Sequence, residues 1–156
     1  MKKNGFTVVE LLASFTLTMI IVVFLFEIVL ELKNTYVSNT IKTQVLMQNS
    51  AFVTVLNNKF SNASIDSTSY GGTGNVYIIN TSDGSSYNLT ITENQIIFDG
   101  QKFKMPEGVA IENINFIDGG VIVNNDGSNS SYFSISYDVV GDDLDKKIHF
   151  NYVYSY

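Results

Sequence analysis

Met1-Lys2-Lys3-Asn4-Gly5-Phe6-Thr7-Val8-Val9-Glu10-Leu11-Leu12 opens the chain, and its reading decides the fold. Two lysines precede a glycine, and a lone carboxylate then sits inside a segment that is otherwise apolar. From Leu11 to Phe26 there are sixteen consecutive uncharged residues, and extending back to Phe6 gives 21. That is enough for a membrane-crossing helix of about 20 residues. A secretory signal places its small-residue cleavage site after the apolar core. Here the only candidate, Gly5, comes before it, so a cut there would leave the greasy helix on the mature protein. Lys2 and Lys3 on one side, against Glu27 and Glu31 on the other, point the N-terminus to the cytoplasm by the positive-inside rule and leave the bulk of the chain outside. A buried core helix is the rival reading, and the one-sided flanks speak against it.

This order of residues resembles the class III signal of type IV prepilins and pseudopilins: a short basic leader, Gly5, then Phe6-Thr7, two variable residues and Glu10-Leu11. The resemblance implies that a membrane prepilin peptidase cuts after Gly5 and methylates the new amine of Phe6. It also implies that Glu10 is the carboxylate used in filament assembly. The electrostatics fit. Cleavage would expose an ammonium on Phe6 in apolar surroundings, and Glu10 lies four residues on, along the same helical face. It could pair with its own Phe6 or with that of a neighbouring subunit. A buried ion pair adds little net stability but penalises mispairing, so it would set the stagger of stacked subunits. Without Gly5 and its Phe-Thr flank, Glu10 would read as a headgroup-level residue tolerated near the membrane edge.

The 156 residues leave room for one modest domain beside the membrane segment. Nine lysines, no arginine and fifteen acidic residues give a net charge of −6, and loss of Lys2 and Lys3 with a leader would deepen it. Such acidity argues against nucleic acid as a direct ligand, because phosphate binding needs a basic surface. With no Cys there are no disulfides, so an exported head must be held by packing alone. Many Gram-negative major pilins close a C-terminal loop with a disulfide, and this chain departs from them.

The helix is expected to continue past the membrane. Leu30, Val37, Ile41, Val45, Phe52, Leu56 and Phe60 recur at helical spacing, with Lys33, Asn34, Asn39, Lys42, Gln48 and Asn58 off that line. No Pro or Gly interrupts the run before Gly71. The expected organisation is a leader at 1–5, a membrane half at 6–26, an amphipathic half at 27–60 and a β-rich head at 61–156. Ser61 to Asn75 reads as a loop. Short alternating strands follow at Val76–Asn80, Tyr87–Thr92, Gln95–Asp99, Gln101–Met105, Val109–Ile117, Val121–Asn124, Tyr132–Val140 and Lys147–Tyr154. Asp83-Gly84, Asp99-Gly100, Asp118-Gly119-Gly120, Asp126-Gly127 and Gly141-Asp142-Asp143 punctuate them as turns, which favours antiparallel connections. In the last strand Ile148, Phe150, Tyr152, Tyr154 and Tyr156 share one face, and Phe133, Ile135, Tyr137 and Val139 repeat the pattern. The apolar phase slips between Ile111 and Ile114, which predicts a bulge. A helix and a sheet, each with one naked apolar face, cover one another. The expected fold is therefore α+β: a long helix supporting an antiparallel sheet, the ladle that the pilin resemblance implies independently.

Weaker signals remain. Asp142, Asp143 and Asp145, with Asp138 nearby, could chelate Ca²⁺, but the spacing matches no defined loop and a solvated turn accounts for it. Asn124-Asn125-Asp126-Gly127-Ser128 is turn chemistry. Lys102 and Lys104, with Lys146-Lys147, could read an anion, though solvated edge-strand lysines explain them. His149 has no second His and no Cys beside it in sequence, so a metal or catalytic role is not expected. Gly71-Gly72-Thr73-Gly74 lacks the lysine of a phosphate loop. The Asn-x-Ser/Thr triplets at Asn62, Asn80, Asn88 and Asn129 follow from composition. The tyrosines fall mostly in phase with the inward face and read as core.

The expected protein is a minor pseudopilin or minor pilin: a non-enzymatic structural subunit without cofactors, held in the cytoplasmic membrane and then built into a filament of a type IV pilus, type II secretion or competence system. Its partners would be sister subunits, the prepilin peptidase and the membrane assembly platform. The segment Met105-Pro106-Glu107-Gly108-Val109, with the strands after it, looks like the C-terminal part of minor pseudopilins. Glu10 argues against the tip pseudopilin of secretion systems, which typically lacks this acid. The alternative is an uncleaved single-pass membrane protein whose β-rich domain binds a ligand.

Overall fold

From Val8 to Phe60 nothing in the sequence breaks a helix, and in the computed structural model the whole stretch is one α-helix, α1 (Val8–Phe60). The structure describes residues 7–61, 65–70, 75–123, 129–144 and 146–155. Eight strands follow: β1 (Ile65–Tyr70), β2 (Val76–Thr81), β3 (Ser86–Thr92), β4 (Gln95–Phe98), β5 (Gln101–Lys104), β6 (Val109–Val123), β7 (Asn129–Gly141) and β8 (Ile148–Ser155). The chain divides into two compact units, Met1–Asn39 and Thr40–Tyr156.

In the first unit, the described part of α1 offers apolar side chains all round its circumference. Phe15, Ile20, Phe24 and Phe26 are all more than half exposed, and the run is long and apolar enough to cross a membrane. Leu30, expected in the buried stripe, is exposed. That stripe becomes core only in the second unit.

The second unit is an α+β layout, with residues 40–60 of α1 packed on antiparallel strands. Val45, Phe52 and Leu56 are fully buried, and Ile41 and Phe60 partly so. Two sheets stand where one was expected: a five-stranded sheet in the order β1-β2-β3-β4-β5 and a three-stranded sheet in the order β6-β7-β8. The helix face serves both. The Phe52 ring meets Phe98 and Phe103 of the larger sheet and Tyr152 of the smaller one, edge to face. Phe60 likewise meets Tyr87 and Phe98 on one side, and Phe133 and Tyr154 on the other. Such aromatic pairs add about 0.5–1.5 kcal/mol each beyond burial.

Turn chemistry sets the strand connections. Asp99 and Gly100 both have positive φ, 49° and 78°, as a two-residue type I′ hairpin between β4 and β5 requires. At Asp83-Gly84 the Asp83 carboxylate accepts from the Thr81 hydroxyl and the Ser85 N–H, at 2.7 and 2.9 Å. Those bonds hold Asp83 below the usual carboxylate pKa, the Thr81 hydroxyl contributing most.

Two further expectations need correction. The Ser61–Asn75 stretch is not all loop, since β1 forms within it and pairs with β2. Its residues Ile65-Asp66-Ser67-Thr68-Ser69-Tyr70 carry too few apolar side chains to alternate visibly, as suits a sheet edge. Nor is Asp118-Gly119-Gly120 a turn. The register slips between Ile117 and Gly120, with Gly119 at φ 71°, and β6 continues through as one strand. The bulge expected after Ile111 is present, between Glu112 and Asn115, with Asn113 at φ 51°. The Asp126-Gly127 turn and the Gly71–Gly74 segment lie outside the described residues, and so do Gly5 and Phe6.

Candidate functional site

Glu10 is the only charged residue between Thr7 and Phe26, and the structure gives it a local partner. Thr7 precedes the first helical residue, and its carbonyl accepts the first helical bond from Leu11 N–H at 3.1 Å. Its hydroxyl accepts from the Glu10 N–H at 3.3 Å. In return Glu10 Oε2 accepts from both the Thr7 backbone N–H and the Thr7 hydroxyl, each at 2.9 Å. This is a capping box: two helix-start donors that would otherwise lack partners are satisfied reciprocally. The signal was present in sequence as Thr7-x-x-Glu10, and reading Glu10 only as a charge passes over it. Two of the three bonds use Oε2, and none uses Oε1.

Further along, the hydroxyls in the apolar run turn inward to the helix backbone. Ser14 donates to Leu11 O at 2.9 Å, Thr16 to Ala13 O at 2.9 Å and Thr18 to Ser14 O at 2.8 Å. With those groups satisfied within the helix, the outward surface is hydrocarbon. Gly5 and Phe6, the expected cleavage and methylation positions, lie outside the described residues.

In the head, two polar clusters stand out. On the inner side, Asn49 breaks the apolar stripe of α1 at a buried position. Its Oδ1 accepts from Tyr137 Oη at 2.5 Å and from Tyr152 Oη at 2.6 Å, and Tyr154 Oη donates to Asn57 Oδ1 at 3.2 Å. Burial raises the pKa of all three tyrosines above its ordinary value, Tyr137 most of all. Lys59 bridges to Asp99 at 2.8 Å and lies over the Tyr87 ring, and the Asp99 bond raises its pKa.

The outer cluster is centred on Asp138, whose side chain is 6% exposed. It accepts from Asn113 Nδ2 at 2.9 Å, His149 Nδ1 at 2.7 Å and Lys147 Nζ at 3.1 Å. Those bonds hold its carboxyl far below the usual carboxylate range, in that order of weight. Sequence alone set Asp138 beside Asp142 and Asp143 and left His149 isolated. Pairing of β7 with β8 instead places Asp138 opposite His149. Asp142 and Asp143 lie in the exposed turn after β7, closed by Leu144 N–H to Gly141 O at 3.0 Å, and Asp145 lies outside the described residues. Among the described residues no three His, Cys, Asp or Glu side chains converge as metal ligands would.

Lys102 and Lys104 project from β5, an edge strand, which suits solvated guard residues. The Met105–Val109 segment, with Asn94, Gln95 and Lys104, lines an open polar cleft. No family model, curated protein or solved structure matches this chain.

Proposed function

We propose that this chain is a pilin-like structural subunit, a minor pseudopilin or minor pilin, made as a prepilin and assembled through its N-terminal helix. In this reading the cytoplasmic membrane holds residues 6–26 with the N-terminus inside, prepilin peptidase cuts after Gly5 and methylates Phe6, and the assembly platform moves the subunit into a filament. The chain is the substrate of that processing and performs no reaction of its own.

One observation carries the reading: the Gly5-Phe6-Thr7-x-x-Glu10 motif leads directly into a helix whose described apolar surface is exposed all round, and whose later turns support a β-rich head. A helix greasy on every side needs lipid or sister helices around it. Glu10 then has two compatible tasks. Oε2 holds the Thr7 cap, which starts the helix cleanly, and Oε1 can accept from an ammonium on Phe6 of the same or a neighbouring subunit.

The test is the N-terminal mass of the protein recovered from its native membrane. A chain beginning at N-methylated Phe6 is the expected result, and an intact Met1 terminus on assembled protein would overturn the proposal. The capping box keeps a second reading in view, since an uncleaved single-pass protein with a ligand-binding head would need the same helix start. That reading predicts the intact terminus.

A further inference from the structure

We propose that the outer face of the three-stranded sheet binds a neutral saccharide, in a shallow furrow floored by Ser134 and Ser136, walled by Asn115 and Asn151, and closed at one end by the Tyr132 ring.

Strand pairing builds the furrow. β7 is the middle strand, with β6 and β8 on its two sides. Phe133, Ile135, Tyr137 and Val139 point into the core and are fully buried, so Tyr132, Ser134, Ser136 and Asp138 point the other way. Register sets Ser134 between Ile117 and Val153, and Ser136 between Asn115 and Asn151. Short hydroxyl side chains on the middle strand thus lie between longer, exposed ones on both neighbours.

Three observations point to a ligand on this face. Ser134 is 8% exposed, yet its hydroxyl has no hydrogen-bond partner among the described residues. Every fully enclosed side-chain polar atom among those residues has a partner, so this oxygen opens onto the furrow. Holding a hydroxyl in so enclosed a place without a partner costs stability. Asn115, Ser136 and Asn151 form a complete cross-strand row in which, among the described residues, no side chain bonds to the protein. Tyr77, Tyr87, Tyr137, Tyr152 and Tyr154 all pack against other rings, and Tyr132 packs against none among the described residues.

The class of ligand follows from these groups. The Ser134 and Ser136 rows hold no charged side chain, so they reward no ion. The charges gather at Asp138, whose carboxylate is already bonded by Asn113, His149 and Lys147. Nucleic acid needs cations facing its phosphates. An extended peptide needs unpaired backbone groups, and β7 is paired on both sides. Amides and hydroxyls both donate and accept, as the hydroxyls of a sugar do, so a run of them matches adjacent sugar hydroxyls. The C–H faces of a sugar ring suit the negative face of the Tyr132 ring and the aliphatic Ile117 and Val153. The furrow lies wholly within the head, so cleavage after Gly5 has no bearing on it.

The experiment titrates the full chain, in micelles of a zwitterionic detergent without sugar headgroups, with maltotriose, cellotriose and tri-N-acetylchitotriose. The readout is the NMR signals of the Asn115 and Asn151 side-chain amides. At least one trisaccharide is expected to shift both signals saturably, while the side-chain amide of Gln101 in β5 stays fixed. Asn115→Ala and Asn151→Ala, each read from the remaining amide, should weaken binding about fivefold, the ratio equivalent to ~1 kcal/mol for one lost hydrogen bond. Ser134→Ala should also weaken it, with the urea midpoint unchanged or raised, because a hydroxyl without a partner adds nothing to the fold. No shift with any of the three sugars, equal shifts with the charged trimers of galacturonate or glucosamine, or full affinity in both folded asparagine variants would overturn the proposal. So would tighter binding of an uncharged Ser/Asn peptide, which would make a polypeptide the occupant, or a urea midpoint lowered by Ser134→Ala, which would give that hydroxyl a structural task.

Discussion

Replacing Asn49 by Leu removes one amide and orphans two hydroxyls, so its cost can be worked from the contacts. The side chains are close in volume, and the packing loss is small. What is lost is the acceptor for Tyr137 Oη, which is fully buried, and for Tyr152 Oη, which is half-buried. A buried donor left without a partner costs about 1–3 kcal/mol. Tyr137 lies toward the upper end of that range, and Tyr152, which water can reach, toward the lower. The expected destabilisation of the head is therefore about 2–4 kcal/mol. With a urea slope of about 1–3 kcal/mol per M, a mid-range loss of about 3 kcal/mol lowers the unfolding midpoint by about 1–3 M. The chain has no Trp, so tyrosine fluorescence or aromatic circular dichroism of the full chain in micelles follows the transition. The sharper test is the triple variant Asn49→Leu, Tyr137→Phe, Tyr152→Phe. Deleting both sides of a hydrogen bond can be nearly neutral, so the triple variant should recover most of what the single one loses. A single variant costing under about 0.5 kcal/mol, or a triple variant no more stable than the single, would refute the idea that Asn49 pins α1 to the sheet through these hydroxyls.

Four further outcomes are expected. Because burial raises the Tyr137, Tyr152 and Tyr154 pKa values, the folded head holds those protons more tightly than the unfolded chain; stability is full below about pH 10 and falls as pH rises beyond it, and Tyr137→Phe should flatten that alkaline limb in pH-dependent urea titrations. Asp138 has the opposite sign: its depressed pKa contributes stability that is present above about pH 4 and lost as pH falls below it, so Asp138→Asn should reduce the acid sensitivity of unfolding. Gly141→Ala would put a Cβ 2.8 Å from Gly108 O and 3.2 Å from Val109 Cγ2, and should lower head stability by about 1–3 kcal/mol in the same assay. Thr7→Val removes the two hydroxyl bonds of the cap while keeping the acid, and Glu10→Ala removes the two carboxylate bonds together with the acid; under the assembly reading, filament yield should fall more with Glu10→Ala, and equal losses would leave Glu10 a capping role alone.

Much of the head was legible because its signals are periodic. Val45, Phe52 and Leu56 sit at helical spacing, and Phe133, Ile135, Tyr137 and Val139 alternate, and all seven are fully buried. Asp99-Gly100 announced its hairpin, since few other pairs tolerate two positive φ angles. What was not legible depends on partners distant in sequence. β1 is a polar edge strand, recognisable only once β2 lies beside it. Asn49 looks like an interruption of the stripe until two tyrosines, 88 and 103 residues further on, reach it. Asp138 and His149 become neighbours through strand register, which composition does not encode. The Asp118-Gly119-Gly120 triplet carries turn chemistry that a bulge uses equally well, and pairing on both sides of it decided the outcome.

The exposed apolar helix raises a question of specificity that its own polar groups answer. Moving such a helix from lipid into a bundle of sister helices gains little from the hydrophobic effect, because lipid tails are as apolar as Leu and Phe. Close packing and polar contacts must then choose among the possible staggers. Ser14, Thr16 and Thr18 spend their hydroxyl protons on their own helix backbone rather than across helices. Glu10 is the one charged group left in the span, and its Oε1 stands outside the capping bonds. A helix that is uniformly greasy elsewhere can slide against its neighbours at little cost, whereas a carboxylate drawn into that bundle must meet a cation at one height. Under the assembly reading, the register of the whole subunit is thus concentrated in a single side chain one turn from the helix start. Glu10→Gln, which keeps the cap acceptor but not the charge, separates that role from the cap.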